Sequence, residues 1–121
     1  MAGDARALSR LFHITSKAAA AEAVRSGVYL PAGFAAEGFV HCSYRHQVCS
    51  TANRLFAGRL DLVLLEIDRD RLACPVVDEN LEGGAERFPH IYGPVPMEAV
   101  AAVHPFTCGA SGRFELPAAL G

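Results

Sequence analysis

Short apolar segments bounded by turn residues follow one another along the chain, and their period switches between that of a strand and that of a helix. Residues 8–14 (Leu-Ser-Arg-Leu-Phe-His-Ile) predict a first strand, with Thr15 or Ser16 placed to cap a helix. Residues 17–25 are alanine-rich and helix-favouring, and Gly27 is the stop. A short strand is expected over 28–30, then a Gly- and Ala-rich loop over 31–37 and another strand over 38–42. Ser43 then reads as the cap of a helix over 44–57, in which Val48, Cys49, Ala52, Leu55 and Phe56 recur on one face. Residues 61–68 are the clearest strand. Their near-continuous apolar run calls for burial on both faces and a central position. Pro75 consigns the strand over 74–78 to an edge. A loop over 79–87, a helical turn over 96–99 and a last strand over 100–107 complete the pattern. Residues 108–121 read as a loose tail in which 113–116 could pair at an edge.

Two helices come early and most strands late, which disfavours a doubly wound sheet. The expected architecture is α+β: a single small domain with a mixed or antiparallel, curved or split sheet and two packed helices. Its core spans about 8–107, with 1–7 and 108–121 loosely held. The length of 121 residues and an apolar share of 51% suit one domain with its own core and exclude a disordered chain. A net charge of −2 argues against a generic polyanion binder, so RNA stays open as a partner only through a local groove, with no basic patch to support it. No apolar run approaches the ~18 residues of a membrane span, and residues 1–10 lack the apolar stretch of a signal peptide. The expectation is a cytoplasmic protein with no membrane partner.

Three histidine segments hold the candidate chemistry. In Phe-His-Ile-Thr-Ser (12–16), His13 ends a strand just before a helix N-terminus, where backbone N–H groups can meet an anion. Glu-Gly-Phe-Val-His-Cys-Ser (37–43) repeats that order of strand, histidine, hydroxyl residue and helix, which would set His41 at a strand end beside His13. In Glu-Arg-Phe-Pro-His-Ile-Tyr-Gly-Pro (86–94), two prolines and a glycine fix the backbone that presents His90 and Tyr92, with Glu86 just ahead. Each also has a structural reading: a histidine bonded in a turn, a capping serine, a packed tyrosine. Phosphate-loop, dinucleotide and nucleophile-elbow motifs are missing. Cys42, Cys49, Cys74 and Cys108 form no Cys-x-x-Cys pair and read as reduced thiols. His41, Cys42, His46 and Cys49 lie close enough in sequence for a metal site, although structural zinc sites usually draw ligands from a second element. Cys42 as a nucleophile would need His46 or His13 as its base, because adjacent strand residues point to opposite faces.

These three segments, with Ala-Asn-Arg-Leu-Phe (52–56) and the strand at 61–68, together resemble a bacterial family, domain of unknown function 952, over about residues 11–106. More distantly, the chain resembles the ADP-ribosyltransferase superfamily, which includes the NAD-dependent RNA 2′-phosphotransferases. That second resemblance implies a split, curved sheet around an NAD cleft and cleavage of the nicotinamide–ribose bond, with NAD as substrate. On it, His13, with Thr15 and Ser16 beside it, contacts NAD. His41, Ser43 or Tyr44 lies near the nicotinamide. Glu86 is the candidate for the glutamate on the nicotinamide ribose, with His90 and Tyr92 in the same segment. The helix N-termini after Thr15 and Ser43, aided by Arg45 and Arg54, would hold pyrophosphate oxygens. The chain departs from the superfamily at the third position, where Glu86 falls in a loop, so NAD binding carries over better than transfer to protein. The alternatives are a non-catalytic module for a nucleotide or metabolite, the metal cluster, and a thiol enzyme at Cys42.

Overall fold

The computed structural model describes residues 9–81 and 83–120. The expected strand start at Leu8 and the N-terminal segment 1–7 lie outside the described residues. The first strand, β1 (Arg10–Ser16), ends at a working cap: Ser16 Oγ accepts from the N–H of Ala19 at 3.0 Å. Helix α1 (Lys17–Ser26) follows and stops at Gly27, whose φ of 86° is open to a residue without Cβ, and whose N–H bonds Ala23 O. Ala20 and Ala23 form its buried side.

Strand β2 (Val28–Tyr29) pairs with β7 (Val95–Pro96). The expected loop over 31–37 contains one helical turn, α2 (Phe34–Glu37), closed by a bond from Gly38 N–H to Phe34 O at 2.7 Å. Strand β3 (Val40–His41) is shorter than its apolar run. Its neighbour is β6 (Phe88–Ile91), in which Pro89 has no N–H to continue the ladder. Cys42 N–H still reaches Pro89 O at 3.0 Å, and regular pairing ends there. The segment read as a rigid Pro-Gly run is thus the middle strand of a sheet ordered β3-β6-β5, with β5 (Val76–Glu79) at its edge as expected.

The second long helix starts later than predicted, and Ser43 is not its cap. Ser43 is drawn into an antiparallel bridge with Phe12, its N–H and C=O both bonded to that residue at 2.8 Å. Tyr44 takes the extended cap position, and its N–H donates to Gln47 Oε1 at 3.0 Å. A 3-10 turn over Arg45–Gln47 leads into α3 (Val48–Leu55).

Strand β4 (Leu62–Asp68) occupies the middle of the first sheet, between β1 and β8 (Val100–Pro105), with both pairings antiparallel. Its two faces supply two cores. Val63, Leu65 and Ile67 pack with Leu11, Val40, Cys42 and Ile91 under α1 and the third sheet. Leu62 and Leu64 pack with Phe12, Val48, Ala52, Phe106 and Phe114 under α3. Each fully buried aliphatic side chain there contributes about 2 kcal/mol, so double-sided burial makes β4 the spine of the domain. The C-terminal segment, expected as a loose tail in which 113–116 could pair at an edge, is bonded to α3 at Phe114. Asn53 presents its side-chain amide to Phe114 as a strand would, accepting from its N–H at 2.7 Å and donating to its carbonyl at 3.3 Å. Among the described residues the domain is therefore α+β with three antiparallel sheets and two helices of more than one turn, and no helix is long and apolar enough to cross a membrane.

Candidate functional site

The Phe12–Ser43 bridge ties β1 to the end of β3, and a cleft of about 240 Å³ opens beside it. β1 contributes Phe12 and His13, the α2–β3 segment Phe39 and His41, and β6 contributes His90; Thr51 and Phe56 close the far wall. The three histidine segments, distant in sequence, thus converge on one cavity.

His13 is half-buried and has both ring nitrogens engaged. Nδ1 lies 2.7 Å from His41 O and Nε2 lies 2.8 Å from the Tyr29 hydroxyl. Loss of water around the ring depresses its pKa to about 4, outweighing the opposing bond to the carbonyl. The ring is therefore neutral near pH 7. A carbonyl can only accept, so the proton sits on Nδ1 and Nε2 accepts from Tyr29. Tyr29 Oη is also 3.0 Å from Thr15 Oγ1, and burial raises its own pKa.

His90 is differently placed. It is only 3% exposed, and its Nδ1 lies 2.9 Å from Glu79 Oε1. The Tyr92 hydroxyl donates to the same carboxylate oxygen. Those two bonds, Tyr92 first, hold the Glu79 carboxyl below its ordinary range, and the carboxylate in turn raises the Tyr92 phenol. The Phe39 ring stacks on the imidazole at 4.2 Å and 13°. With the carboxylate accepting from Nδ1–H, the lone pair of the neutral ring is on Nε2. His41 stands across the ladder from His90, their ring centroids 5.1 Å apart.

The remaining candidates disperse. Ser43 lines the cleft, but its hydroxyl turns to Thr51 Oγ1 at 3.4 Å. Ser16 caps α1, and Thr15 bonds Tyr29 beside a separate hollow. Tyr44 points away and donates to Asp78 at 2.6 Å, with Arg69 donating to it at 2.9 Å. Tyr92 stands at the outer side of Glu79, 36% exposed. Glu86 lies in an adjoining depression with Gln47 and Arg54, where Gln47 Nε2 donates to it at 3.2 Å; Thr51 borders both hollows. Arg45 donates to the Leu120 carbonyl rather than facing a ligand. The helix N-termini are met from within the chain too, by Ser16 and by the Gln47 side chain.

The metal and thiol alternatives lose their geometry. Among the described residues no three His, Cys, Asp or Glu side chains gather to hold a metal, and His46 stacks on the Tyr44 ring instead. Cys42 is 1% exposed, and burial pushes its thiol well above the ordinary range, so no thiolate is available as a nucleophile. Glu79 and Phe39 are the residues that sequence reasoning missed. Glu79 fell at the edge of an expected loop, yet it ends β5 opposite Phe88, which makes it the diagonal neighbour of His90 on one face.

An antiparallel α+β fold with one aromatic, three-histidine cleft defines the class of protein. Within that class the chain belongs to the family described as protein of unknown function DUF952, whose model matches residues 14–103 and so takes in His41 and His90. Its fold is similar to that of protein CC0527 from Caulobacter crescentus. The crystal structure of CC0527 is 31% identical, covers 92% of this chain and 97% of that one, and has a TM-score of 0.80. A double mutant of CC0527 gives 30% identity and the same coverage and TM-score. Its solution NMR structure gives 31% identity, coverage of 87% and 90%, and a TM-score of 0.76. None of the curated proteins matches the chain.

Proposed function

We propose that the cleft receives the nicotinamide–ribose end of NAD and that the protein is an ADP-ribosyltransferase-like enzyme cleaving the bond between those two groups. The observation that carries this reading is the convergence of His13, His41 and His90 on one aromatic cavity. Phe12, Phe39 and Phe56 offer apolar faces to a planar ring, and about 240 Å³ suits one ring with part of its ribose rather than a whole dinucleotide. The rest of the substrate would run past Thr51 into the hollow with Gln47, Arg54 and Glu86. There Arg54 would sit toward the phosphates, and Glu86, expected at the nicotinamide ribose, would lie toward the second ribose instead. Bond cleavage passes through an oxocarbenium-like state, which the Glu37 carboxylate and the cleft's dipoles would stabilise while its apolar walls exclude water.

A second reading, a non-catalytic module for a small neutral metabolite, draws support from the charge of the lining. Among the described residues of the cleft wall Glu37 bears the one formal charge, and neither Lys nor Arg is present. Thermal unfolding with millimolar NAD or nicotinamide, for wild type and Phe39→Ala, separates the readings together with an assay for released nicotinamide. A ligand at ~100 times its dissociation constant adds about 2.7 kcal/mol and several degrees. The enzyme reading expects stabilisation by NAD, weakened in Phe39→Ala, with nicotinamide released. Stabilisation by nicotinamide without turnover of NAD favours the module, and no effect of either compound on the melt or on NAD sinks the nucleotide reading.

A further inference from the structure

The geometry points to His90 Nε2 as the proton-accepting atom of the cleft, with Glu79 as the residue that positions it. Three constraints act on that one imidazole. Glu79 Oε1, 2.9 Å from Nδ1, holds that nitrogen's proton, so in the neutral ring the lone pair is on Nε2. Phe39, stacked at 4.2 Å, fixes the ring plane. Pairing of β6 with both β3 and β5 leaves the ring 3% exposed and lining the cleft. A base oriented by a carboxylate on its far nitrogen is the arrangement that activates a hydroxyl for attack. His13 cannot do this, because its Nε2 is occupied by Tyr29.

The proposal deepens the nucleotide reading and rests on it for the substrate. In the step itself the acceptor's O–H bond breaks and its proton passes to His90 Nε2. The acceptor oxygen bonds to the ribose carbon as the carbon–nitrogen bond breaks. That bond's electron pair stays on the nicotinamide nitrogen, which cancels its positive charge. The groups facing His90 are His41 from β3, Glu79 from β5, Tyr92 beyond β6, and Glu37 of α2 along the cleft wall.

Diethyl pyrocarbonate tests the base without assuming a substrate, because only an accessible, unprotonated imidazole nitrogen attacks it. The full chain is treated across pH 5–8, where His titrates (roughly, from its ordinary pKa near 6.5), and each histidine is followed by peptide mass. His90 is expected to react and His13 to stay unmodified, with exposed His46 as the internal standard. Glu79→Gln keeps an acceptor for Nδ1–H but removes its charge, so the high-pH rate at His90 should fall several-fold and the midpoint move to lower pH. Tyr92→Phe frees the carboxylate from its second donor and should move the midpoint the other way, a pair of opposite shifts that a merely structural Glu79 would not produce. An unreactive His90 beside a reactive His46 overturns the proposal, as does a Glu79→Gln profile identical to wild type. Should Glu79→Gln fail to fold, the Tyr92→Phe shift decides by itself. Millimolar NAD is expected to protect His90; a reactive His90 that NAD does not protect keeps the base and overturns the nucleotide reading.

Discussion

On the β1 side of the cleft, His13 meets a backbone carbonyl and a phenol; on the β6 side, His90 meets a carboxylate. Both rings line the same cavity. The first has two neutral partners, one per nitrogen, which consume its whole hydrogen-bonding capacity and tie β1 to β3 and β2. The second has one charged partner, at Nδ1, which fixes the tautomer of its neutral ring and leaves the lone pair on Nε2. Lining a cleft is thus no measure of chemical availability. The partner of each ring nitrogen decides whether a histidine anchors the fold or serves the site.

The largest expected effect comes from acid. Above pH 6.5, His13 is neutral both folded and unfolded. Between 6.5 and about 4 the unfolded chain takes up a proton that the folded ring refuses, so stability falls as pH falls. The full loss is about 3 kcal/mol. Urea denaturation at pH 7 and pH 4 measures it, and the His13→Gln variant should lose most of the difference. A wild type equally stable at both pH values would erase the contrast between the two walls.

The His90 wall is strained most easily at Gly93. A Cβ there would lie 2.6 Å from Cys74 Cβ and 2.9 Å from its sulfur. Gly93→Ala should therefore cost about 2 kcal/mol and displace the segment carrying Tyr92. Side-chain NMR is expected to show shifts at His90 with little change at His13; equal disturbance of both would mean that the walls are not independent. The smallest effect tests the other wall. Tyr29→Phe removes the partner of His13 Nε2, at a cost of about 1 kcal/mol in denaturation. The reactivity of His90 toward diethyl pyrocarbonate should be unchanged.

Much of the frame was legible because its causes are local. Ser16 and Gly27 bound α1 through bonds that reach only three or four residues. The apolar run of β4 announced a strand buried on both faces, and both its neighbours are antiparallel, within the mixed or antiparallel sheet expected. The three histidine segments were each marked by their own strand, turn or proline residues, and the repeated order of the first two set His41 beside His13, whereas the arrival of His90 depends on the pairing of β6 with β3. Ser43 misled because the same residue type caps a helix and bridges strands. Which of these it does was settled by Phe12, 31 positions earlier in the chain.

Periodicity and capping are written within a few residues, so the kinds of element, the α+β class and the three histidine segments could be read from the chain. Phe39 and Glu79 could not, and which atoms the histidines offer is a matter of tertiary pairing. The β5–β6 register carries Glu79 onto His90, β2 carries Tyr29 onto His13, and α3 carries Asn53 onto Phe114. Each of these meetings depends on how distant segments pair and pack, and a hydrogen bond's partner is fixed by that geometry rather than by the residues on either side of it.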